Sequence, residues 1–424
     1  MKYQLRDYQQ EASDSAVRFF QTKNDRNGLL ILPTGAGKSL VIADIAFRLG
    51  EPLLVLQPSR EILTQNYGKL KSYDVEDCSI YSASLNRKEI SRITFATIGS
   101  IMAQIDDFDH FKYIIVDEAH NVNASQGQYK SFFSKVKRKI LGLTATPYRL
   151  NSALQYLDNE GRQHYRPKDE EGSQQFDERL LKRELKMETK CVLKFLTRTR
   201  PRVFHDVVYA VDISTLLERG YLAKVEYYDL SIVDQSRLRR NSTGMDFDDR
   251  SLSDEFNQND FGNYLLEVVN RLRHPKKGGQ RRGILVFAKY IEECETLCKK
   301  LPSCAVVTGS TPKRERDEIL DSFKSGMIDV LVNVGVLTTG FDYPELDTVV
   351  MARPTMSLAL YYQILGRGIR PHPSKSSTWF VDLCGNIKRF GRVEDLHLAE
   401  PTPGEYIITG NTDGGVRQLT NVYF

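Results

Sequence analysis

Short apolar runs alternate with segments of helical periodicity in the first third of the chain. The apolar runs occupy positions 29–32, 53–56, 93–97, 113–117 and 139–144. Runs of this length without polar interruption are typical of parallel strands covered on both faces of a sheet. Helical patterns such as Ser39–Leu49 and Arg60–Tyr73 separate them. This alternation predicts an α/β domain with a parallel sheet.

A second series of the same kind begins near residue 283. Its apolar runs occupy positions 283–290, 304–309, 329–334, 347–353 and 378–383. The segment 219–233 between the two series is itself strand-like, and 424 residues exceed what one core ordinarily organises. We therefore predict two α/β domains, 1–225 and 226–399. Residues 400–424 are rich in Gly, Thr and Asn, which suggests a peripheral extension.

Residues 148–205 form a polar, charge-rich insertion in the first predicted domain. Basic residues recur there at helical spacing: Arg179, Lys182, Arg183, Lys186, Lys190 and Lys194. Leu181, Leu185 and Val192 fall on the opposite side, so the pattern predicts an amphipathic helix. Two interpretations of its basic face stay open. Either the lysines and arginines contact a nucleic-acid backbone, or the face is simply solvated beside nearby glutamates.

The composition excludes some classes of protein. Hydrophobic residues make up 41% of the chain and charged residues 27%, as is ordinary for a globular protein. The net charge of +4 is too small to indicate a nucleic-acid partner without local clusters. No apolar stretch approaches the roughly 20 residues of a membrane span. The polar start MKYQLRDYQQEASD lacks the core of a signal peptide, so we expect a cytoplasmic protein with no membrane partner.

The six cysteines are scattered, and none forms a CxxC pair. Cys294 and Cys298 lie one helical turn apart, but no second pair of ligands follows nearby. A structural zinc site usually needs four ligands. We therefore predict no metal site at the cysteines and reduced thiols throughout.

The segment LPTGAGKS places a glycine loop between an apolar run and a helical segment. Backbone N–H groups of such a loop bind phosphate, a lysine reaches the β- and γ-phosphates, and a serine ligates Mg²⁺. The candidate residues are Thr34, Gly35, Ala36, Gly37, Lys38 and Ser39. Leu32 replaces the first glycine of the general pattern. A turn that merely requires glycine is the alternative, but it would not need the adjacent lysine and serine.

Two acidic residues follow an apolar run in the segment VDEAH. A carboxylate at the end of a parallel strand lies where such sheets bind ligands. We predict that Asp117 holds Mg²⁺ through water and that Glu118 orients or deprotonates the attacking water. His120 is better suited to coupling than to proton transfer. The alternative is that the two acids cap a helix.

The segment QILGRGIR carries Arg367 and Arg370, which share one helical face. Arginines of this kind stabilise the charge of a transferring phosphoryl group. Gln363 would help to position the water. In isolation, two solvated arginines would explain this segment better. Beside the glycine loop and the paired acids, the catalytic interpretation is preferred.

The order LPTGAGKS, VDEAH, LTATP, VLTTGFD and QILGRGIR resembles that of the superfamily 2 helicases of the DExH type, over about residues 3–395. The resemblance implies two RecA-like domains with ATP and Mg²⁺ in a cleft and nucleic acid across both. It implies that Arg6 and Gln9 in LRDYQ contact adenine and that Gly340 and Asp342 lie near the nucleotide. Coupling residues would be His120, Thr144 and Thr146. Contacts with nucleic acid would be made by Pro58, Arg60, Thr97, Ser100, Gly309, Thr338 and Thr339, with Lys182, Arg183, Lys186 and Lys190 of the insertion as further candidates.

Within that superfamily, LPTGAGKSLVIA, LGLTATPYRL, VLTTGFD and ILGRGIR are similar to the RadD-type DNA-repair ATPases of bacteria. That family carries a cysteine-rich zinc module after the ATPase domains, and we expect none in this chain. A compact relative in a phage or a phage-infected bacterium would fit. The likeness favours DNA over RNA as the partner and implies 3′-to-5′ movement.

The expected function is therefore an ATP-dependent DNA helicase or translocase. A duplex translocase or branch-migration enzyme without processive unwinding, an RNA helicase and an ATP-gated nucleic-acid clamp are the alternatives. Lys38, Glu118, Gln363 and Arg370 argue against a clamp, because binding alone does not need a hydrolytic set. No strand-separating wedge is recognisable, so unwinding and translocation are not distinguished.

Overall fold

The computed structural model describes residues 4–157, 162–167, 188–275, 281, 283–338, 340–412 and 415–423. The chain forms two compact units. Unit 1 comprises Met1–Ile213, His397–Thr409 and Gln418–Phe424, and unit 2 comprises Ser214–Leu396 and Gly410–Arg417. The division after Ile213 lies upstream of the boundary predicted near residue 225. The chain also returns to unit 1 after crossing unit 2, which the sequence did not indicate.

Unit 1 is built on an eight-stranded sheet of order β11-β1-β7-β6-β2-β5-β3-β4. Neighbouring strands are parallel except for β3 and β4. Numbered in chain order, the strands are β1 (Gly28–Ile31), β2 (Leu53–Gln57), β3 (Cys78–Ser82), β4 (Arg87–Lys88), β5 (Ile93–Thr97), β6 (Tyr113–Asp117), β7 (Lys139–Thr144) and β11 (Asp206–Ala210). All five apolar runs predicted in this region are strands, which confirms the parallel α/β fold of unit 1.

Helices cover this sheet: α1 (Asp7–Gln21), α2 (Lys38–Leu49), α3 (Arg60–Lys71), α4 (Ile98–Ile101) and α5 (Gly127–Lys135). In α1, Tyr8, Ala12, Ala16 and Phe20 recur every four residues, and all four are buried. This spacing gives one apolar face along the helix. That face fixes α1 on unit 1 and so determines where its first turn lies.

One glycine allows the central strands to be covered closely. Gly142 lies in β7, and a Cβ atom built there would stand 2.6 Å from Phe204 Cε1 and 2.8 Å from the Ala119 Cβ. Both distances are shorter than carbon–carbon contacts in packed interiors. Glycine at this position therefore lets the segment after β6 lie directly on β7.

Unit 2 contains a six-stranded sheet of order β12-β17-β16-β13-β15-β14, in which all pairs are parallel. Its strands are β12 (Lys224–Asp229), β13 (Ile284–Ala288), β14 (Cys304–Val307), β15 (Val330–Asn333), β16 (Thr348–Ala352) and β17 (Ser377–Asp382). Its helices are α7 (Asp249–Gln258), α8 (Phe261–Arg273), α9 (Ile291–Lys300), α10 (Lys313–Lys324), α11 (Leu358–Leu365) and α12 (Asn386–Phe390), and α6 (Ile213–Glu218) begins at the boundary. The second predicted α/β series is thereby confirmed.

The insertion contains a three-stranded antiparallel sheet of order β10-β8-β9. Its strands are β8 (Tyr148–Leu157), β9 (Gln163–Pro167) and β10 (Glu188–Phe195). The predicted helix is therefore wrong over β10, where Lys190 lies. A spacing of four residues also places side chains on one face of a strand, whose period is two, so Lys190 and Lys194 fit either element. Lys182, Arg183 and Lys186 lie outside the described residues.

The C-terminal residues form β18 (His397–Thr402), β19 (Glu405–Thr412) and β20 (Gly415–Gln418). The chain then docks on the outer edge of β10. The Asn421 N–H donates to the Leu193 carbonyl over 2.6 Å, and Asn421 Oδ1 accepts from the Phe195 N–H at 3.0 Å. Tyr423 forms an antiparallel bridge with Val192 and stacks on Tyr165. The segment interpreted as peripheral thus supplies an edge partner to the insertion sheet.

The prediction of reduced thiols throughout is wrong for one pair. Cys298 and Cys304 form a disulfide that joins the end of α9 to the start of β14. The two positions are separated by six residues. This spacing fits neither a zinc-site pattern nor a CxxC pair, so the sequence did not indicate that the two cysteines are bonded. Separately, no helix in the described part of the chain is long and apolar enough to cross a membrane.

Asn421→Ala should loosen the insertion sheet. The substitution removes the acceptor for the Phe195 N–H and also places alanine at φ +61°, a left-handed conformation that asparagine tolerates better. We expect faster amide hydrogen exchange in β10, corresponding to a local loss of roughly 1–3 kcal/mol. Asn421→Gly is the matched variant, because it relieves the backbone strain and isolates the side-chain bond. Wild-type exchange in both variants would contradict this anchoring role.

Candidate nucleotide-binding and catalytic site

The predicted phosphate loop connects β1 to α2. The Leu32 N–H donates to the Thr144 carbonyl at 3.1 Å, so the loop leaves the sheet beside the end of β7. Gly35 and Gly37 have φ values of +83° and +78°, and a Cβ on Gly37 would lie 2.5 Å from Gln9 Nε2. The left-handed conformation favours glycine at Gly37, and a Cβ there would also displace the Gln9 amide. Leu32, which replaces the first glycine of the general pattern, is a fully buried core residue.

The first turn of α1 holds this loop. Tyr8 Oη and Gln9 Nε2 both donate to the Ala36 carbonyl, at 2.9 and 2.8 Å. Gln9 Oε1 accepts from the Arg6 N–H at 2.9 Å, which fixes the orientation of the amide. Gln9 therefore contacts the phosphate loop itself, and adenine contact by Arg6 and Gln9 stays a prediction. Sequence reasoning missed Tyr8, because an aromatic residue beside Gln9 does not by itself indicate a contact with the phosphate loop.

Lys38 and Glu118 approach each other within unit 1. Lys38 Nζ lies 3.4 Å from Glu118 Oε1, and their side chains are only 14% and 15% exposed. Glu118 has a φ of +49°, in the left-handed region. This conformation is energetically unfavourable for residues other than glycine. Strained backbone of this kind is concentrated at functional sites. Its position directly after β6 turns the carboxylate toward the lysine of the phosphate loop.

Asp117 is the last residue of β6 and is almost completely buried. Burial, followed by the neighbouring Glu118 carboxylate, raises the pKa of the Asp117 carboxyl to about 6, while Lys38 opposes this shift. Asp117 Oδ1 accepts from the Glu118 N–H at 2.9 Å, and Oδ2 accepts from Asn66 Nδ2 at 2.9 Å. Each oxygen therefore has a fixed donor. Sequence reasoning did not single out Asn66.

The residues predicted to couple the site to β7 lie together. His120 Nδ1 is 3.4 Å from Glu118 Oε2 and 3.1 Å from Thr144 Oγ1. Thr144 Oγ1 in turn accepts from the Thr146 N–H at 3.0 Å. Burial lowers the pKa of the His120 imidazole, which favours its neutral form near pH 7. A continuous polar chain therefore runs from the Glu118 carboxylate into the LTATP segment.

These residues fit a magnesium–nucleotide complex. The described residues contain no group of three or more His, Cys, Asp or Glu side chains arranged around a metal. Mg²⁺ rarely uses such a cage, because it binds one or two carboxylates together with waters and substrate phosphates. The left-handed glycine loop, Lys38, the Ser39 hydroxyl and the Asp117 carboxylate supply that donor set. Ser39 and Asp117 would hold the ion, which neutralises phosphate charge when bound.

Unit 2 brings its own candidates together around α11. Arg370 forms an ion pair with Asp342, and burial lowers the pKa of its guanidinium to about 10. Arg367 Nη1 donates to the Phe341 carbonyl at 2.8 Å and is itself buried. This bond ties QILGRGIR to VLTTGFD and favours a positioning role for Arg367. Gln363 is half-buried on α11, and Gly340 has a φ of +75° next to this tie.

Lys375 is a further residue that sequence reasoning missed. Its Nζ donates to the Gly368 carbonyl at 2.6 Å and to the Leu346 carbonyl at 2.7 Å. Burial lowers the pKa of its ammonium to about 8. Lys375 therefore links Gly368, in the turn between Arg367 and Arg370, to the Leu346 backbone. A lone lysine outside the motif gave no sequence signal for this role.

The predicted nucleic-acid contacts follow strand ends in both units. In unit 1, Pro58 follows β2 and Thr97 ends β5, and these strands are neighbours. Thr97 Oγ1 lies 2.8 Å from Ser100 Oγ, and Arg60 is paired with Glu61 at 2.7 Å. In unit 2, the neighbouring strands β14 and β15 precede Gly309 and Thr338. Thr339 lies outside the described residues.

Comparison with protein families agrees with this geometry. Residues 2–149 match the family described as "Type III restriction enzyme, res subunit", and residues 264–372 match "Helicase conserved C-terminal domain". The first match spans the phosphate loop and the acids, and the second spans the arginines. This chain belongs to superfamily 2 of the helicases.

Two relatives illustrate the similarity of this helicase-family chain. It is 26% identical to the candidate ATP-dependent helicase IRC3 of Saccharomyces cerevisiae, over 90% of this chain and 51% of the yeast protein. It is 25% identical to the DNA 3'-5' translocase XPB2 of Sulfurisphaera tokodaii, over 87% of this chain and 79% of that protein. The chain therefore spans about half the length of the yeast relative.

A solved structure shares the fold. The Type ISP restriction-modification enzyme LlaBIII, determined bound to DNA, superposes with a TM-score of 0.61 over 91% of this chain and 28% of that enzyme. Sequence identity is 20%. The comparison confirms two RecA-like α/β domains in this helicase-family chain.

We expect the two arginines of QILGRGIR to respond differently to alanine. Arg367→Ala removes the bond to the Phe341 carbonyl and should lower the melting temperature of unit 2. Arg370→Ala should leave ATP binding comparable but reduce turnover by roughly 10³-fold if this residue acts as an arginine finger. Thermal melting, binding of a fluorescent ATP analogue and ATP turnover would be measured for each variant.

Arg314→Ala is the matched control, because Arg314 is an exposed arginine paired with Glu318 on α10. It should change none of the three measured properties. If Arg370→Ala affected ATP affinity alone, Arg370 would be a binding group and the finger assignment would be wrong.

Proposed function

We propose that this chain is a DNA-dependent ATPase that uses ATP hydrolysis to move along DNA and to unwind or remodel it. The observation that carries the proposal is the contact of Lys38 with Glu118 beside the buried Asp117. A lysine for phosphate, a carboxylate for water and a carboxylate for metal are the three groups that this hydrolysis requires. A protein that only bound ATP as a clamp would not need the strained Glu118.

The proposed roles follow from the chemistry of each group. The glycine loop and Lys38 bind the phosphates, while Ser39 and Asp117 hold Mg²⁺. Glu118 orients the attacking water or accepts its proton. Arg370 and Gln363 of unit 2 stabilise the transferring phosphoryl group and position the water. His120, Thr144 and Thr146 connect Glu118 to β7, and we propose that this connection relays the state of the nucleotide.

DNA is the proposed partner because XPB2 is a DNA translocase by name and the sequence motifs resemble DNA-repair ATPases of the RadD type. The same relationship suggests 3′-to-5′ movement. We propose that the strand-end residues Pro58, Arg60, Thr97, Ser100, Gly309 and Thr338 contact the nucleic-acid backbone. We propose that the protein acts inside a bacterial or phage-infected cell, which fits a DNA partner.

A single set of assays tests the proposal. ATP turnover would be measured with single-stranded DNA, duplex DNA, forked DNA and RNA of equal length, alongside strand displacement on the fork. We expect DNA to stimulate turnover more than RNA does. Stimulation by duplex DNA without displacement would identify a duplex translocase. Stimulation by RNA alone would overturn the DNA assignment.

Substitutions at Lys38 and Glu118 should separate binding from hydrolysis. Lys38→Ala should weaken nucleotide binding, turnover or both, because phosphate contacts are lost. Glu118→Gln should bind ATP and Mg²⁺ but hydrolyse very slowly, since only the carboxylate that handles water changes. Turnover and the affinity of a fluorescent ATP analogue would be measured for both. Near-normal turnover by Glu118→Gln would remove the basis for its catalytic role.

A further inference from the structure

Asn66 is a buried amide in an otherwise apolar stripe of α3. Ile62, Leu63 and Leu70 are its neighbours on the inner face of the helix, and Asn66 is 1% exposed. A polar group at such a position costs free energy unless it is hydrogen-bonded. Its partner is Asp117, at the end of β6. The helix that follows β2 thus places an amide against the carboxylate that is proposed to hold the metal.

The geometry fixes which way the amide faces. Asn66 Nδ2 donates to Asp117 Oδ2 at 2.9 Å. The opposite orientation would set two acceptors against each other, because an ionised carboxylate only accepts hydrogen bonds. Asn66 Oδ1 is therefore directed elsewhere. Within the described part of the chain, this oxygen is buried and has no hydrogen-bond partner.

A buried amide oxygen without a donor is unusual in folded proteins. Hydrated Mg²⁺ supplies donors, since the ion keeps several of its waters when it binds to proteins. Asp117 accepts one bond from Asn66 and one from the Glu118 N–H, so both of its oxygens are oriented. Residues that hydrogen-bond to a metal-holding carboxylate set the direction of that carboxylate and tune the affinity for the metal.

We propose that Asn66 is a positioning residue for magnesium: its amide N–H holds the Asp117 carboxylate, and its amide oxygen accepts from a water of the hydrated ion. The proposal rests on the proposed ATPase function. It assigns to α3, which begins with the proposed DNA contact Arg60, a second role at the metal. The competing explanation is that Asn66 only ties α3 to β6, and in that case its removal would affect stability but not metal affinity.

The test measures metal affinity without catalysis. Binding of a fluorescent N-methylanthraniloyl-ADP to the full chain would be followed during a titration with MgCl₂, and the Mg²⁺ concentration at half-maximal binding recorded. Asn66→Leu keeps the size of the side chain and removes both polar atoms. We expect its Mg²⁺ midpoint to rise by about tenfold or more, as is typical when a partner of a metal ligand is lost. Binding in EDTA should stay as in the wild type.

Ser79→Ala is the matched control. Ser79 is a buried residue of unit 1 that hydrogen-bonds to Glu89 and Thr94, and it lies on β3. Its loss should lower stability without changing the Mg²⁺ midpoint. Asn66→Ser, which is smaller and keeps a hydroxyl, carries the test if Asn66→Leu does not fold. We expect the same direction of change.

A wild-type Mg²⁺ midpoint in a folded Asn66 variant would overturn the proposal. So would an equal shift in Ser79→Ala, because the effect would then be one of general stability. The proposed function fails separately. If DNA did not stimulate ATP turnover by the wild type while the midpoint shift was present, the positioning role would stand and the DNA-dependent function would not.

Discussion

The parallel pairing of β1, β7 and β6 is the constraint on which the candidate catalytic site depends. Parallel strands end at the same edge of a sheet, so the segments that follow them converge there. The phosphate loop follows β1, Thr144 ends β7, and Asp117 ends β6. Any change of register in these strands would separate Lys38 from Glu118. Gly142 in β7 contributes to the same arrangement, because it allows the segment after β6 to lie directly on β7.

The two units present the same electrostatic arrangement. In unit 1 a lysine lies against Glu118, and in unit 2 Arg370 lies against Asp342. In each case a cation proposed to meet phosphate is paired with a carboxylate, although Glu118 is largely buried and the Asp342 side chain is about half exposed. Removing one partner of such a pair leaves the other charge less compensated. Kinetic effects of single substitutions at these pairs will therefore combine lost chemistry with rearranged electrostatics, and double-mutant cycles are needed to separate them.

Local sequence patterns predicted much of this structure, but contacts between residues far apart in sequence could not be predicted from them. Five of the eight strands of the unit 1 sheet and the strands of the unit 2 sheet were predicted, because a buried parallel strand needs a short apolar run, whereas β3, β4 and β11 were not. The phosphate loop was predicted because its residues are adjacent in sequence. Asn66 was missed because its partner Asp117 is 51 residues away. Tyr8 and Ala36 are likewise 28 residues apart. For β10, a four-residue spacing of lysines satisfied the helical and the extended period alike, and only pairing with β8 decides between them.

The edge of β10 has a consequence for the order in which the protein can be assembled. Phe195 and Asn421 are 226 residues apart, and the residues between them include all of unit 2. At a synthesis rate of roughly 5–20 residues per second, β10 leaves the ribosome about 10–45 s before the segment 421–423 that covers its edge. An uncovered edge strand is a template for pairing with other chains. The nascent protein therefore passes through an interval in which the edge of its insertion sheet is open to pairing with other chains, and this interval ends once residues 421–423 have been made.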